Sequence, residues 1–269
     1  MIRIESESAP VNTLKKSPVK RRYEGISAII LLIFSWEVAA HFFPPILFPS
    51  LTQVATEFLQ LFHDKVLIHT TLVTYARILV AVLFSFIVCS ALGLLAGLND
   101  AVDRFLSPLI QIKQGVPSLC WIIFSIIWFK DVEVRNVFIV FISTLPSLYY
   151  LSRDGVRAIP ADLWEMVRAW RPSRLQLITK LLLPGMLPNL ITGLRVNIGA
   201  GARVVVFAEL LGGVSGVGYQ LRIAEEQFMM DKVLAWTVVL VLWILVCDNL
   251  LKLLENKLLR ARGRKENNG

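Results

Sequence analysis

Charged residues occur in two places of this 269-residue chain where the surrounding sequence is strongly apolar. One place is a short segment between two apolar stretches. It is too charged to cross a bilayer and too amphipathic to be a plain linker. Its charges beside apolar side chains could set the register of a docking surface; an interfacial helix pair whose arginines reach lipid phosphates is the alternative. The charged residues of this segment are Glu165, Arg168, Arg171, Arg174 and Lys180.

The second group lies inside the apolar stretches, where a charge at mid-helix costs about 2.5–3.5 kcal/mol on insertion scales. Such residues could line a path for a polar, anionic solute, or they could pair across a helix bundle. Both alternatives stay open for Arg203 and Glu209, which face different ways on a helix. Asp248 and Lys252, four residues apart, are predicted to pair near a surface. The group is Glu37, Arg77, Lys113, Arg195, Arg203, Glu209 and Asp248.

Neither a catalytic nor a metal site is predicted. The chain lacks the G-x-x-x-x-G-K-[ST] nucleotide loop and H-E-x-x-H, and its three histidines are scattered. The glycine-rich stretch 212–218 has no lysine and is typical of a turn at the outer surface. Three cysteines without paired spacing predict no disulfide framework. The chain itself is therefore not expected to be an enzyme or to hold a cofactor.

Composition indicates a membrane protein. Mean hydropathy is +0.63 and 18% of the residues are charged, against about 25% in soluble domains. The net charge of +8 concentrates before the first and after the last apolar stretch. Such clusters mark cytoplasmic flanks, and without interleaved aromatics they do not indicate nucleic-acid binding.

Six membrane spans are predicted, and the third is interrupted by Gly115 and Pro117. The arginine and lysine distribution places both termini in the cytoplasm, with no cleaved signal peptide. A Ser-capped amphipathic helix is predicted at 50–59, and a polar turn at 99–104. One transmembrane domain, 25–257, lies between basic tails at 1–24 and 258–269. The spans are 25–43, 72–98, 106–129, 137–151, 183–211 and 233–254.

Two short helices are predicted for the charged segment. The first starts at 160–162, with Asp162 and Glu165 as a capping box, and ends at Pro172. The second runs from near Ser173 to Leu183, before Pro184.

This segment resembles the EAA loop of bacterial ABC importer permeases. The pattern is Glu165-Met166-Val167, then Arg171 six residues after the glutamate, then Leu181-Leu182-Leu183-Pro184. The continuation to Gly193-Leu194-Arg195 is similar to the form in permeases for nitrate, sulfonate, taurine and bicarbonate. Weaker matches cover nearly the whole chain: Leu47-Phe48-Pro49-Ser50, Arg77, Pro117 with Trp121 and Trp128-Phe129, Ala208-Glu209-Leu210, and Gly216-Val217-Gly218-Tyr219.

The resemblance implies an all-α, type I ABC importer permease fold with about six transmembrane helices. The loop at about 158–183 would form coupling helices that sit in a cleft of a separate ATPase. Coupling residues would be Glu165, Met166, Val167, Arg168, Arg171, Pro172 and Arg174, and candidates for the translocation pathway are Arg77, Pro117, Trp121, Arg203 and Glu209.

The implied function is alternating-access import of a small polar, anionic solute across the bacterial inner membrane. The implied partners are two ATPases that hold ATP and Mg, a second permease copy in a homodimer, an extracytoplasmic solute-binding protein and membrane lipids. Rival hypotheses are a stand-alone secondary transporter or channel, which the lack of an internal repeat disfavours, and a membrane enzyme or scaffold.

The chain departs from the family pattern in its loop. Arg171 stands where the family has glycine, and Pro172 follows. Glycine permits a sharp turn with positive φ, so Arg-Pro is expected to turn differently. Met166 and Val167 replace smaller alanines, and Lys130-Asp131 follows Trp128-Phe129 where the family often has a glycine turn. These departures suggest an atypical branch with its own ATPase.

Overall fold

The computed structural model describes residues 18–63 and 65–266, with side chains between 26 and 253 apart from 64 and 65. The described residues form helices and no strands. Helix α1 begins within the predicted basic tail; residues 1–17 and 267–269 of the two tails lie outside the description. The elements are α1 Pro18–Phe42, α2 Leu51–His63, α3 Lys65–Leu98, α4 Asp100–Gly115, α5 Ser118–Trp128, α6 Val132–Arg157, α7 Ala161–Ala169, α8 Arg174–Leu177, a π-helical turn Ile178–Leu182, α9 Leu183–Gly212, α10 Val217–Glu226 and α11 Met230–Glu266.

Four helical stretches in the described chain are long and apolar enough to cross a bilayer: Val66–Leu98, Val132–Arg157, Arg174–Gly212 and Met230–Leu253. Helices α4 and α5 meet at a bend of 96° and could form one broken span. The bend lies at Val116 and Pro117, so the predicted interruption is confirmed. The apolar helix Ile26–Phe42 is shorter, and the predicted count of six spans is not confirmed.

Two local predictions have different outcomes. Helix α2 has the predicted serine cap, because Ser50 Oγ accepts from the Gln53 N–H at 3.3 Å and Gln53 Oε1 accepts from the Ser50 N–H at 2.9 Å. The predicted polar turn at 99–104 is wrong. Asn99 caps α4, and Asp100 and Asp103 lie in its first turn, where acidic side chains interact favourably with the helix dipole.

The centre of the bundle is made by α3, α6 and α9. Gly93 and Gly97 let α3 approach α6 closely, because a methyl group at Gly97 would meet the Val156 side chain at 2.7 Å. Close backbone approach through small residues four apart is typical of membrane helix pairs. The side chains of Val140 and Val205 are fully buried in the shared core.

Each end of the bundle has its own apolar cluster. At one end, α2, α10 and the start of α11 meet around Leu61, Val217 and Trp236; we call this the α10 end. At the other, Ile159 and Met186 pack with the π-helical turn and α7; we call this the α7 end. The charged segment and the glycine-rich turn are therefore at opposite ends.

Candidate functional site

The charged segment, which we call the coupling segment (residues 161–177), contains two short helices as predicted. The predicted capping box of the first helix is wrong, because Pro160 is its N-cap residue and Asp162 lies inside the first turn. The predicted start of the second helix is confirmed. Ser173 Oγ accepts from the Gln176 N–H at 3.3 Å, and Gln176 Oε1 accepts from the Ser173 N–H at 3.0 Å.

The turn between the helices uses a left-handed residue. Arg171 has φ of +45°, and its N–H donates to the Arg168 carbonyl at 3.1 Å. The expectation that Arg-Pro would turn differently from glycine is wrong. The tight helix end requires positive φ, and Arg171 adopts it despite the steric cost of its Cβ.

Replacement of Arg171 by glycine is expected to stabilise the protein by about 0.5–1 kcal/mol. Glycine removes backbone strain of about 1–2 kcal/mol but adds freedom to the unfolded chain worth about 0.5–1 kcal/mol. The midpoint of thermal unfolding in detergent measures this. Arg174→Gly is the matched control, because Arg174 begins α8 with no positive φ and the variant should be less stable. An R171G protein no more stable than the wild type would contradict the strained turn.

The coupling segment exposes a mixed apolar and charged surface. Trp164 and Val167 pack into the cluster at the α7 end, whereas the side chain of Trp170 is 84% exposed and that of Met166 is 56% exposed. A groove of about 410 Å³ runs between the helices. It is lined by Met166, Val167, Trp170, Pro172, Gln176 and Lys180. The side chains of Glu165, Arg168, Arg171 and Arg174 are also exposed.

The coupling segment is continuous with a membrane-spanning helix. The prediction that Pro184 ends the second helix is wrong, because Arg174–Gly212 is one helical stretch of 39 residues. Proline has no N–H for the usual helical bond. The π-helical turn Ile178–Leu182 accommodates it, with the Leu183 N–H donating to the Ile178 carbonyl five residues back. A force on α8 would therefore act directly on α9.

A second polar site, which we call the arginine cluster, lies toward the α10 end and joins three helices. Arg77 Nη1 donates to Glu209 Oε1 at 2.8 Å, and Nε and Nη2 donate to Glu133 Oε1 at 2.9 and 2.8 Å. The Ser215 carbonyl and hydroxyl oxygens accept from Nη1 and Nη2, each at 3.0 Å. All five guanidinium N–H groups thus have acceptors.

The glycine-rich turn covers the Glu209 carboxylate, which is fully buried. The carboxylate accepts from Thr74 Oγ1 at 2.9 Å and from the Gly218 N–H at 3.0 Å. Gly216 has φ of +101°, and a Cβ there would overlap the carboxylate. The turn was predicted from the sequence, but its contact with the buried Glu209 carboxylate was not. A buried charge requires satisfied partners, and this requirement was the signal for a pair between Arg77 and Glu209.

Asp248 and Lys252 form the predicted ion pair, at 2.6 Å, and Asp248 also accepts from Arg195 Nε at 2.8 Å. Arg195 therefore ties α9 to α11. Glu37 Oε2 accepts from the Leu51 N–H at the start of α2, at 3.2 Å. Among the described residues no group of histidines, cysteines and acids could hold a metal, and the three cysteines are free.

The predicted pathway residues do not gather at one place within the chain. Arg77 and Glu209 pair inside the bundle, so the contacts are those of the pairing alternative. Pro117 precedes α5 at the bend, and the half-buried ring of Trp121 contacts Phe124 and Phe138. The side chain of Arg203 is exposed on another face of α9. A pathway role for these residues stays a prediction.

Residues 90–260 match the family described as the binding-protein-dependent transport system inner membrane component. The protein named "Putative aliphatic sulfonates transport permease protein SsuC" of Bacillus subtilis (strain 168) is 27% identical over 254 residues, 93% of this chain and 92% of that protein. The taurine transport system permease protein TauC of Escherichia coli (strain K12) is 26% identical over 87% of each chain. The nitrate import permease protein NrtB of Leptolyngbya laminosa is 34% identical over 53% of this chain and 51% of its own length.

Two solved structures share the fold. The MetNI methionine ABC transporter in inward-facing conformations aligns with a TM-score of 0.61 and 18% identity, covering 73% of this chain and 95% of that chain. A crystal structure of an amino acid ABC transporter with histidines aligns with a TM-score of 0.57 and 15% identity, covering 76% and 96%. The all-α importer-permease architecture expected from the sequence is thus confirmed.

Proposed function

Because the chain belongs to the family of binding-protein-dependent transport system inner membrane components, and is thus a multi-pass permease component of an ABC importer, we propose that it carries a small anion. The proposed solute class follows from relatives named for aliphatic sulfonates, taurine, bicarbonate and nitrate. The chain would form the translocation pathway and work by alternating access.

The observation that carries the coupling proposal is the exposed surface around Trp170, which is continuous through α8 with the spanning helix α9. Exposed tryptophan, methionine and arginine side chains, here Trp170, Met166 and Arg168, are the residue types enriched at interface cores. We propose that a separate ATPase, which holds ATP and Mg, docks on this surface. Closure of the ATPase would then move α9 together with α8, because both belong to the continuous helical stretch Arg174–Gly212.

The assembly would contain two copies of this chain, two ATPases and an extracytoplasmic solute-binding protein. The α7 end would face the cytoplasm, and so would both termini. The basic residues of the sequence concentrate in the two tails and in the charged segment, and such residues are enriched on the cytoplasmic side of membrane proteins. The α10 end would then face the binding protein. Within this assembly the arginine cluster would lie on the extracytoplasmic side.

Uptake into proteoliposomes tests the proposal. The chain is co-expressed with a candidate ATPase and a candidate solute-binding protein from its source genome, and uptake of labelled nitrate, ethanesulfonate and taurine is measured with and without ATP. Uptake that requires ATP and is lost with a hydrolysis-deficient ATPase is expected. Uptake by the chain alone, driven by an ion gradient, would overturn the proposal in favour of a secondary transporter.

A further inference from the structure

Arg203 differs from the other charged residues of the membrane spans in where it lies. It is in α9, about 13 Å along the axis from the end of the helix at Gly212. One side of α9 at this level packs inward, with Gly201 against Val82 and with Val205 fully buried. Arg203 faces outward with Val196 and Phe207, whose side chains are 55% and 56% exposed. The charge is thus on the outer surface of the single chain, within the span.

Arg203 also differs in having no partner within the described part of the chain. Among the described residues it makes no hydrogen bond or ion pair, whereas Arg77 pairs with Glu133 and Glu209, and Arg195 pairs with Asp248. Glu209 and Asp248 are thus already neutralised by partners within the chain, and Glu37, in the shorter helix α1, accepts a hydrogen bond from the Leu51 N–H. Lys113, half-buried on α4, likewise has no ion pair in the described part. Among the charged residues of α3, α4, α9 and α11 that the sequence analysis singled out, the two without an ion pair in the described part, Lys113 and Arg203, are therefore both positive.

A guanidinium at this depth is not compatible with contact to hydrocarbon alone, because charged residues within spans face a bundle interior or a water-filled cavity. Beside Arg203 is a cavity of about 210 Å³ between α9, α10 and α11. Its walls include Val206, Phe207, Leu221 and Leu240. Arg203 is the charged residue among those that line this cavity. Because apolar walls have a low dielectric constant, they strengthen the electric field of its guanidinium.

From these observations we propose that Arg203 selects anions. Its face of α9 lines the pathway shared with a second copy of this chain, and the two Arg203 guanidinium groups attract the negative solute and repel cations. This inference rests on the proposed function and adds to it the residue that sets charge selectivity. Arg77 cannot serve in this way in the present structure, because its five donors are occupied.

A charge series in the complete complex tests the proposal. Arg203→Lys keeps the charge and should retain uptake of nitrate or ethanesulfonate within about threefold, whereas Arg203→Gln should lower it at least about tenfold and Arg203→Glu should abolish it. Arg104→Gln is the matched control, since Arg104 is exposed on α4 and its loss should leave uptake unchanged. Equal uptake by the wild type and R203Q would overturn the inference.

Thiol labelling provides a test that does not depend on transport. In a background with Cys89, Cys120 and Cys247 replaced by serine, Arg203→Cys is treated with an anionic and a cationic water-soluble methanethiosulfonate. Labelling by both reagents, reduced by added nitrate, is expected for a pathway position. Lack of labelling would show a site covered by lipid or protein and would overturn the inference. Failure of the wild type to take up any tested anion would instead count against the proposed solute class, while the labelling still reports where Arg203 lies.

Discussion

Replacement of Glu209 by glutamine is expected to lower the free energy of unfolding by about 3–5 kcal/mol, the largest effect on stability that we expect from a single change. The neutral amide would leave the buried Arg77 guanidinium without its fully buried counter-charge. It would also weaken the bonds that Glu209 accepts from Thr74 and Gly218. Titration of the purified protein with a denaturing detergent, followed by circular dichroism, measures the change.

Glu133→Gln is the matched control for this prediction. Glu133 contacts the same guanidinium at 2.8 Å, but its side chain is 60% exposed against 0% for Glu209. Water screens the exposed pair, so the loss should be below about 1 kcal/mol. Equal losses of stability in the two variants would show that the burial of a carboxylate does not determine how much its ion pair with Arg77 contributes to stability. The double variant Arg77→Met with Glu209→Gln should recover part of the loss, because no uncompensated buried charge remains.

Replacement of Trp170 by alanine is expected to weaken binding of the ATPase by about 30- to 1000-fold, that is by about 2–4 kcal/mol. The indole is 84% exposed in the single chain, so its truncation removes little packing from the bundle. An exposed tryptophan at the centre of an interface is a typical source of binding energy. Co-purification of the ATPase and its affinity in detergent measure the effect, and uptake should fall with it.

Phe62→Ala is the control for this prediction, because Phe62 is a comparably exposed aromatic at the α10 end, with 62% exposure. It should leave ATPase binding unchanged. Both variants should unfold at the wild-type temperature. If the W170A chain binds the ATPase as tightly as the wild type, the ATPase does not dock on the apolar surface of the coupling segment. Charge reversal at Glu165 or Arg168 should act in the same direction.

Local chemistry allowed several features of the site to be predicted from the sequence. Ser173 starts α8 because a hydroxyl and a glutamine three residues on satisfy the first N–H groups. Pro117 breaks the third apolar stretch because it cannot continue a helix from Gly115. The pair Asp248 and Lys252 follows from helix spacing alone. Each of these outcomes depends on residues fewer than five positions apart.

Other predictions about the site failed where a neighbouring part of the chain decided the outcome. Pro184 does not end the helix, because the π-helical turn supplies another bonding pattern for the residues before it. Arg171 adopts the positive φ that its sequence disfavours, since α7 and α8 both pack against the cluster at the α7 end. Packing thus overruled the local preference at Arg171, and a different backbone hydrogen-bonding pattern overruled it at Pro184.

The sequence by itself determined that this is a helical membrane protein with an amphipathic, charged segment between two apolar stretches, and with charges inside its spans that must be satisfied by partners. Hydrophobic runs, caps and prolines act over one or two helical turns, so these conclusions required no knowledge of packing. Only the tertiary structure decided which charges neutralise each other. Arg77 and Glu209 are far apart in the chain, and their contact at 2.8 Å depends on how α3 packs beside α9. The same packing leaves Arg203 on the outside of the bundle, with no partner among the residues that the structure describes, because side chains on one helix can meet only those that the fold places opposite them.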